Sequence, residues 1–267
     1  MAEKVAAEYH DVTLGAVRDF GNETRDFELL FDPGKGMRFL PGQFISVVLP
    51  TGGKVLRRAY SIASPPQEKE HLLLIVKRVQ GGLATGWFWG LKPGDRFRIH
   101  GPFGKFILPD PIDFALVFVA TGTGIAPFRS MIHSLLRGGF TAKFSLLFGA
   151  RYDTMTPPPA AGPRGILSSK GAASPPATGG GVIPYHGEWL DLARRHPHFT
   201  YLPTVSRPGP EWKGETGYVQ AKVGKLLADP AATRVYICGL NEMIQPVQEV
   251  CLKAGLRKDQ VSYEKYD

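Results

Sequence analysis

Several short stretches hold the residue types from which binding or redox chemistry could be built. ATGTGIAPFRSM, residues Ala120 to Met131, follows the apolar run FALVFV. Gly122 and Gly124 let a backbone turn tightly and approach a phosphate, and Pro127 suits the first turn of a helix because its missing N–H would have no intrahelical partner. The loop fits neither common phosphate template. A proline stands where a dinucleotide fold wants its third glycine, and the Lys-Ser/Thr of a triphosphate loop is missing. In RAYSIAS, Arg58 offers a planar fork for a phosphate. Tyr60 alternates with Ala59 and Ser61, so an aromatic plane and a hydroxyl can flank one bound ring; a plain strand with a buried tyrosine satisfies the same letters. In VKRVQGGLATGWF, the run Gly82, Leu83, Ala84, Thr85 could open a helix whose N-terminal amides hold an anion, or could be an ordinary glycine-led helix start.

Two halves of different rhythm must position these groups. The first hundred residues read as short strands at Val12–Val17, Arg25–Phe31, Gln43–Leu49, Arg58–Ala63, Leu72–Val79 and Arg96–His100, punctuated by DPGKG, LPGQ, PTGG, SPPQ and KPGD. That spacing predicts a small antiparallel β-barrel or sandwich over residues 1–110, with a short helix at Leu83–Gly90. From about Phe114, the apolar strands ALVFVAT, KFSLLFGAR, FTYLPTV and RVYICGL alternate with helical segments at Pro127–Arg137, Gly187–His196, Val219–Leu227 and Asn241–Ala254. This predicts an α/β fold with a doubly wound parallel sheet over residues 111–267. Thr154–Pro184 breaks the rhythm, with seven prolines and six glycines in 31 residues and no aromatic or acidic residue. Such a composition cannot bury enough apolar surface to offset its ordering entropy, and it reads as a disordered insertion.

Bulk properties narrow the choice. Hydrophobic residues make up 43% and charged residues 21% of the 267, ordinary values for a soluble globular protein. No run approaches the roughly 20 apolar residues of a membrane span, and MAEKVAAEYH has no signal-peptide core, so the cytoplasm is the expected location. Two cysteines, Cys238 and Cys251, cannot ligate an iron–sulfur cluster, which takes about four thiolates. No metal site is expected, and any redox centre must be an organic cofactor. Residues 1–32 hold three Lys/Arg against eight Asp/Glu, whereas residues 33–109 hold twelve against three. Such a basic block can meet a cofactor's phosphates or an acidic partner; nucleic acid lacks any supporting motif.

RAYS followed by G-L-A-T resembles the flavin motif of the ferredoxin–NADP reductase superfamily. The resemblance continues in order through GPFGKF, ATGTGIAPFRSM, the SRP of Ser206–Pro208, CGLNEM and the ending YEKYD. It implies an FAD on the barrel, with Arg58 and the Gly82–Thr85 turn at its pyrophosphate. Tyr60 would lie on the isoalloxazine, Ser61 near flavin N5, and Val76 and Lys77 along the adenosine. It also implies that the second half binds a nicotinamide dinucleotide through Thr121, Gly122, Thr123 and Gly124, with Thr123 facing both cofactors. Arginine rather than an acid at a strand end accommodates a 2′-phosphate. Ser206 and Arg207 match that site in the family, Arg151 matches a second arginine of bacterial-type members, and Tyr218 an adenine-stacking aromatic. NADP(H) is therefore favoured over NAD(H), although Thr216 stands where plant-type members carry lysine. Cys238, with Gly239 and Met243 after it, would border the nicotinamide. Tyr266 would cover the flavin and Glu264 relay protons, a solvated strand end being the alternative for Glu264.

The expected activity is that of an FAD-dependent ferredoxin (or flavodoxin)–NADP reductase. An acidic one-electron carrier would dock on the basic barrel, and a monomer is expected. Two alternatives stand: the reductase component of a multicomponent oxygenase, and a non-catalytic FAD- or dinucleotide-binding sensor or assembly subunit.

Overall fold

The structure, a computed structural model, describes residues 6–21, 23–50, 55–153 and 183–266. The N-terminal half is one six-stranded antiparallel sheet: β1 (Glu8–Gly21), β2 (Thr24–Leu30), β3 (Phe44–Leu49), β4 (Leu56–Ser61), β5 (His71–Lys77) and β6 (Arg96–Phe103), in the order β4-β3-β6-β1-β2-β5. Strict alternation of buried and part-buried residues along β3 marks one face as the core side. The sheet curls until its two edge strands meet, with Ile62 bridged to Leu74 and the Ala63 N–H donating to the Leu73 carbonyl at 2.8 Å. Helix α1 (Leu83–Gly90) inserts the fully buried Phe88 into this barrel, against Phe27 and Tyr60.

The C-terminal half is a second six-stranded sheet, all parallel: β7 (Ala115–Thr121), β8 (Phe144–Ala150), β9 (Phe199–Val205), β10 (Glu215–Thr216), β11 (Thr233–Gly239) and β12 (Val261–Lys265), in the order β10-β9-β8-β7-β11-β12. β7 and β11 are buried almost end to end, as central strands covered on both faces must be. Helices α2 (Ile125–Arg137), α3 (His186–Arg195) and α4 (Asn241–Lys253) cover the sheet. The chain first steps outward from β7 to β10 and then returns to the other side of β7 for β11. The reversal leaves a crevice at the carboxyl ends of β7 and β11, where open sheets of this kind take ligands. No helix among the described residues is long and apolar enough to cross a membrane.

Three expectations need correction. Val219–Leu227 is not an α-helix but two short 3-10 turns, Val219–Ala221 and Val223–Leu226, held by bonds three residues apart such as Lys222 N–H to Val219 O. Gly224, which an α-helix disfavours, lies within the second turn. Helix α2 begins at Ile125, not Pro127; the proline sits third, where its absent N–H still has no helical acceptor to lose. Of Thr154–Pro184, residues 154–182 lie outside the described set, and Ile183 and Pro184 are buried rather than loose.

The charge blocks neutralise each other. β1 pairs with β6, which sets Asp11 opposite Arg98 and joins them by an ion pair at 2.9 Å; Arg96 reaches Asp32 at 3.0 Å. The acidic first segment thus neutralises part of the basic one.

Candidate functional site

The carboxyl ends of four strands converge at the domain boundary. β4 delivers Ser61, β7 Thr121, β11 Cys238, and β12 Glu264 with Tyr266 just beyond it. Cys238 and Glu264 are register partners on adjacent strands. The Ser61 hydroxyl donates to Glu264 Oε1 across the boundary at 3.3 Å. Tyr266 is anchored by its own N–H to the Gly239 carbonyl at 3.0 Å, and its hydroxyl is buried beside Ser61 and Cys238 with no hydrogen-bond partner. Burial holds the Cys238 thiol far above its usual pKa, and the nearby Glu264 carboxylate adds to the shift. A neutral thiol is therefore the resident form, suited to contact rather than nucleophilic attack.

The turn between β7 and α2 shows two glycine requirements of different kinds. Gly122 has φ +57° with open space where a Cβ would stand, so it is needed for backbone conformation. Gly124 is buried, and a Cβ there would meet the Cys238 carbonyl oxygen at 2.3 Å. The sequence suggested that both glycines let the backbone turn tightly and approach a phosphate; Gly122 has the turn conformation, and Gly124 also clears space for strand β11. Thr123 is half-buried between them, and Thr121 Oγ1 is buried and unpartnered.

On the barrel, Tyr60 is half-buried, its ring edge-on to Phe88 at 5.1 Å, and burial pushes its phenol up to about 12. Arg58 is exposed and bonds only the Arg57 carbonyl, leaving its guanidinium without an acid among the described residues. Ala59 beside it is also exposed. Gly82 precedes the first turn of α1, with Leu83 exposed and Ala84 buried. The Thr85 hydroxyl accepts from the Val79 N–H at 3.1 Å, so it shapes the turn from within. Val76 is 1% exposed in the barrel core, so only its backbone can face an adenosine, whereas Lys77 is exposed.

At the far end of the parallel sheet, the Ser206 N–H donates to the Ala150 carbonyl and the Arg207 N–H to the Arg151 carbonyl at 2.7 Å. This brings Arg151, Ser206 and Arg207 to one rim. Gly217 N–H donates to Val205 O, bringing in Tyr218, which is 66% exposed. Neither arginine has an acidic partner among the described residues. From β9 to β11 is three strand spacings, about 14 Å at ~4.8 Å each, a reach that an extended dinucleotide spans. Unpartnered buried polar atoms at Thr121, Asn241 and Tyr266 sit at the opposite end. The residues therefore fit a dinucleotide laid across the strand ends and a ring system between Tyr60, Ser61 and Tyr266. Met243 is buried against Gly239, on the floor beneath.

One residue of the turn motif went unassigned in the sequence. Arg129, on α2, is 9% exposed and donates Nη1 to the Ala63 carbonyl of the barrel at 3.0 Å. A charge inside PFRSM, on a helix otherwise buried at that turn, was the available signal.

Comparison with known proteins agrees with this geometry. The oxidoreductase FAD-binding domain family matches residues 11–107, and the oxidoreductase NAD-binding domain family matches 118–156 and 179–249. The chain is 35% identical to ferredoxin–NADP reductase B of Sorangium cellulosum, over 98% of this chain and all of that protein. It is 31% identical to the phenol 2-monooxygenase reductase component DmpP of a Pseudomonas species, over 86% of this chain but only 58% of that one. Among solved structures, Amycolatopsis cytochrome P450 reductase GcoB superposes with a TM-score of 0.79 at 25% identity, over 98% of this chain and 71% of that one.

Two outcomes follow from the geometry. Gly124→Ala should cost about 1–3 kcal/mol from the collision with β11, whereas Gly122→Ala costs about 1–2 kcal/mol of left-handed backbone strain. In thermal unfolding the Gly124 variant should also disturb the Cys238 environment. Separately, burial raises the Glu264 carboxyl, against the Ser61 hydrogen bond that lowers it. The folded state then keeps this proton to higher pH than the unfolded chain, so ionisation erodes stability as pH rises through the folded pKa. Glu264→Gln should raise the thermal midpoint at about pH 8 and leave it nearly unchanged below about pH 4. An equal shift at both pH values would refute the burial argument.

Proposed function

The chain belongs to the ferredoxin–NADP reductase superfamily of FAD-dependent oxidoreductases, and from that premise we propose that it moves electrons between NADP(H) and a small one-electron carrier, a ferredoxin or flavodoxin. FAD, when bound, would supply the conversion between a two-electron hydride donor and a one-electron carrier. The chain's own residues bind, orient and shield. Arg58 and the first turn of α1 receive the FAD pyrophosphate, as an anion at a helix N-terminus favours. Tyr60 and Tyr266 enclose the isoalloxazine, and Tyr266 must yield its place when nicotinamide enters. Ser61, bonded to Glu264, holds a hydroxyl proton near N5, and Glu264 links it toward solvent. Cys238, neutral and buried, forms the wall that keeps nicotinamide at contact distance.

The observation that carries the nucleotide choice is the convergence of Arg151, Ser206 and Arg207, with neither arginine ion-paired among the described residues and the neighbouring Asp153 carboxylate buried against the Gly209 N–H. A 2′-phosphate has charge-assisted partners there, and no exposed carboxylate of the cluster is offered to a bare ribose. Support for a ferredoxin carrier comes from the similarity to the Sorangium ferredoxin–NADP reductase over 98% of this chain and all of that one. A second reading, an oxygenase reductase component, draws on the similarity to DmpP and GcoB, each longer than this chain. Carrier docking would use the cations left unpaired by β1 and β6. Arg57, Lys77 and Arg78 are exposed and have no acidic partner among the described residues.

Anaerobic mixing with NADPH and NADH in parallel tests the nucleotide choice. NADPH should bleach the flavin at lower concentration, and Arg207→Ala should cost about 1.5–3 kcal/mol of NADPH binding, roughly tenfold or more, while sparing NADH. Equal rates with both nucleotides in the parent protein would overturn it, and no bleaching by either would favour the non-catalytic sensor. Electron exchange with ferredoxin should slow as salt rises, and Arg57→Glu or Arg78→Glu should raise the KM for the carrier. Indifference to both would remove the docking face, and activity only with an oxygenase component would move the assignment to the second reading.

A further inference from the structure

Outside the transfer site, the most developed polar cluster surrounds Arg129 at the domain boundary. Its guanidinium makes a two-pronged pair with Glu188 of α3, Nε to Oε1 at 2.8 Å and Nη2 to Oε2 at 3.1 Å. The remaining nitrogen, Nη1, donates to the Ala63 carbonyl. His133, one turn along α2, meets Glu188 Oε1 at 2.6 Å. The guanidinium also lies over the Tyr185 ring at 4.7 Å. From the barrel, Arg18 lies over the same ring at 5.0 Å and is held in turn by Asp26.

This cluster joins the segment after β4 to helices α2 and α3 of the other sheet. Ala63 lies two residues beyond Ser61, just past the strand that would bear the flavin-facing groups. Arg129 lies five residues beyond Gly124, on the helix whose start forms the nucleotide turn. Burying a guanidinium is costly unless every donor is matched, and here the matching groups come from two domains. The remaining polar contacts of α2 with the barrel are weaker: Ser134 Oγ to Gln67 at 3.4 Å and an exposed Arg137–Glu68 pair. If the domains shift, Arg129 keeps its pair with Glu188 but loses the Ala63 carbonyl, leaving the Nη1 donor buried without an acceptor. The interface therefore has one preferred spacing rather than a range.

We propose that Arg129 is a positioning residue for hydride transfer: through Ala63 it sets the distance between the flavin strand and the nicotinamide turn. The inference rests on the hydride-transfer reading above. Arg129 takes no part in bond making; the hydride and its electron pair pass from nicotinamide to flavin, and no proton leaves the guanidinium.

The test uses the full chain loaded with FAD, carrying Arg129→Met or Arg129→Lys. At saturating NADPH, the Met variant should bleach its flavin about tenfold or more slowly per bound FAD, because transfer rates depend steeply on sub-ångström placement. Its NADPH dissociation constant should stay within about threefold, since the adenosine rim is distant. The isotope effect with NADPH deuterated at the transferred position should grow, and the Lys variant should fall between. Amide exchange should rise in the peptides covering 62–68 and 183–190. A Met variant that bleaches within about twofold of the parent per bound flavin overturns the proposal. So does unchanged exchange in those peptides. If the Met variant does not fold or hold FAD, the Lys variant is judged by the same two criteria. A parent protein that NADPH cannot bleach would sink the hydride reading instead, and the exchange comparison, which needs no nucleotide, would still decide the role of Arg129.

Discussion

Hydride transfer of the kind proposed tolerates almost no gap between its two rings, and in this chain each ring would belong to a different sheet. The meeting of those sheets is therefore the constraint on which the rest depends. It is visible in the contact between Ser61 and Glu264, 203 residues apart in sequence and 3.3 Å apart in space. A barrel alone could hold an FAD and a parallel sheet alone could hold a nucleotide. Only their docking brings a hydroxyl, a carboxyl, a thiol and a phenol to one point. The docking surface is correspondingly mixed, with Phe106 packed on Phe128 and Tyr236 beside a buried ion pair. Apolar contact supplies adhesion without direction; the guanidinium at Ala63 supplies direction.

Much of this arrangement was legible in the residues because the informative signals are local. Alternation and turn residues placed the six barrel strands, and near-continuous apolar runs placed β7, β8, β9 and β11. Motif spacing put Thr121 and Cys238 at strand ends, which is where the structure has them, whereas Ser61, expected inside Arg58–Ala63, closes β4. What escaped was non-local. The partners of Arg129 lie 66 and 59 residues away, and no window of sequence contains them. Val219–Leu227 has helical letters, but its pieces answer to packing on α4 and to Gly224 rather than to propensity.

Charge was misleading for a related reason. Counting along the chain separates an acidic segment from a basic one, yet antiparallel pairing of β1 with β6 lays one upon the other. Net charge per segment thus overstates the field of the barrel. Among the described residues, the cations that remain without an acidic partner include Arg57 and Arg58 on β4, the strand that bears Tyr60 and Ser61, and Lys77 and Arg78 at the end of β5.

The strand order of the second sheet divides labour along its upper edge. β8, β9 and β10 carry Arg151, Ser206, Arg207 and Tyr218, whereas β7, β11 and β12 carry Thr121, Cys238 and Glu264. No residue of the first group touches the domain boundary through any hydrogen bond or ion pair described above. Under the proposed reading, the groups that distinguish one coenzyme from another therefore stand apart from the groups at the point of transfer, so a substitution at one end of the edge breaks no direct bond at the other.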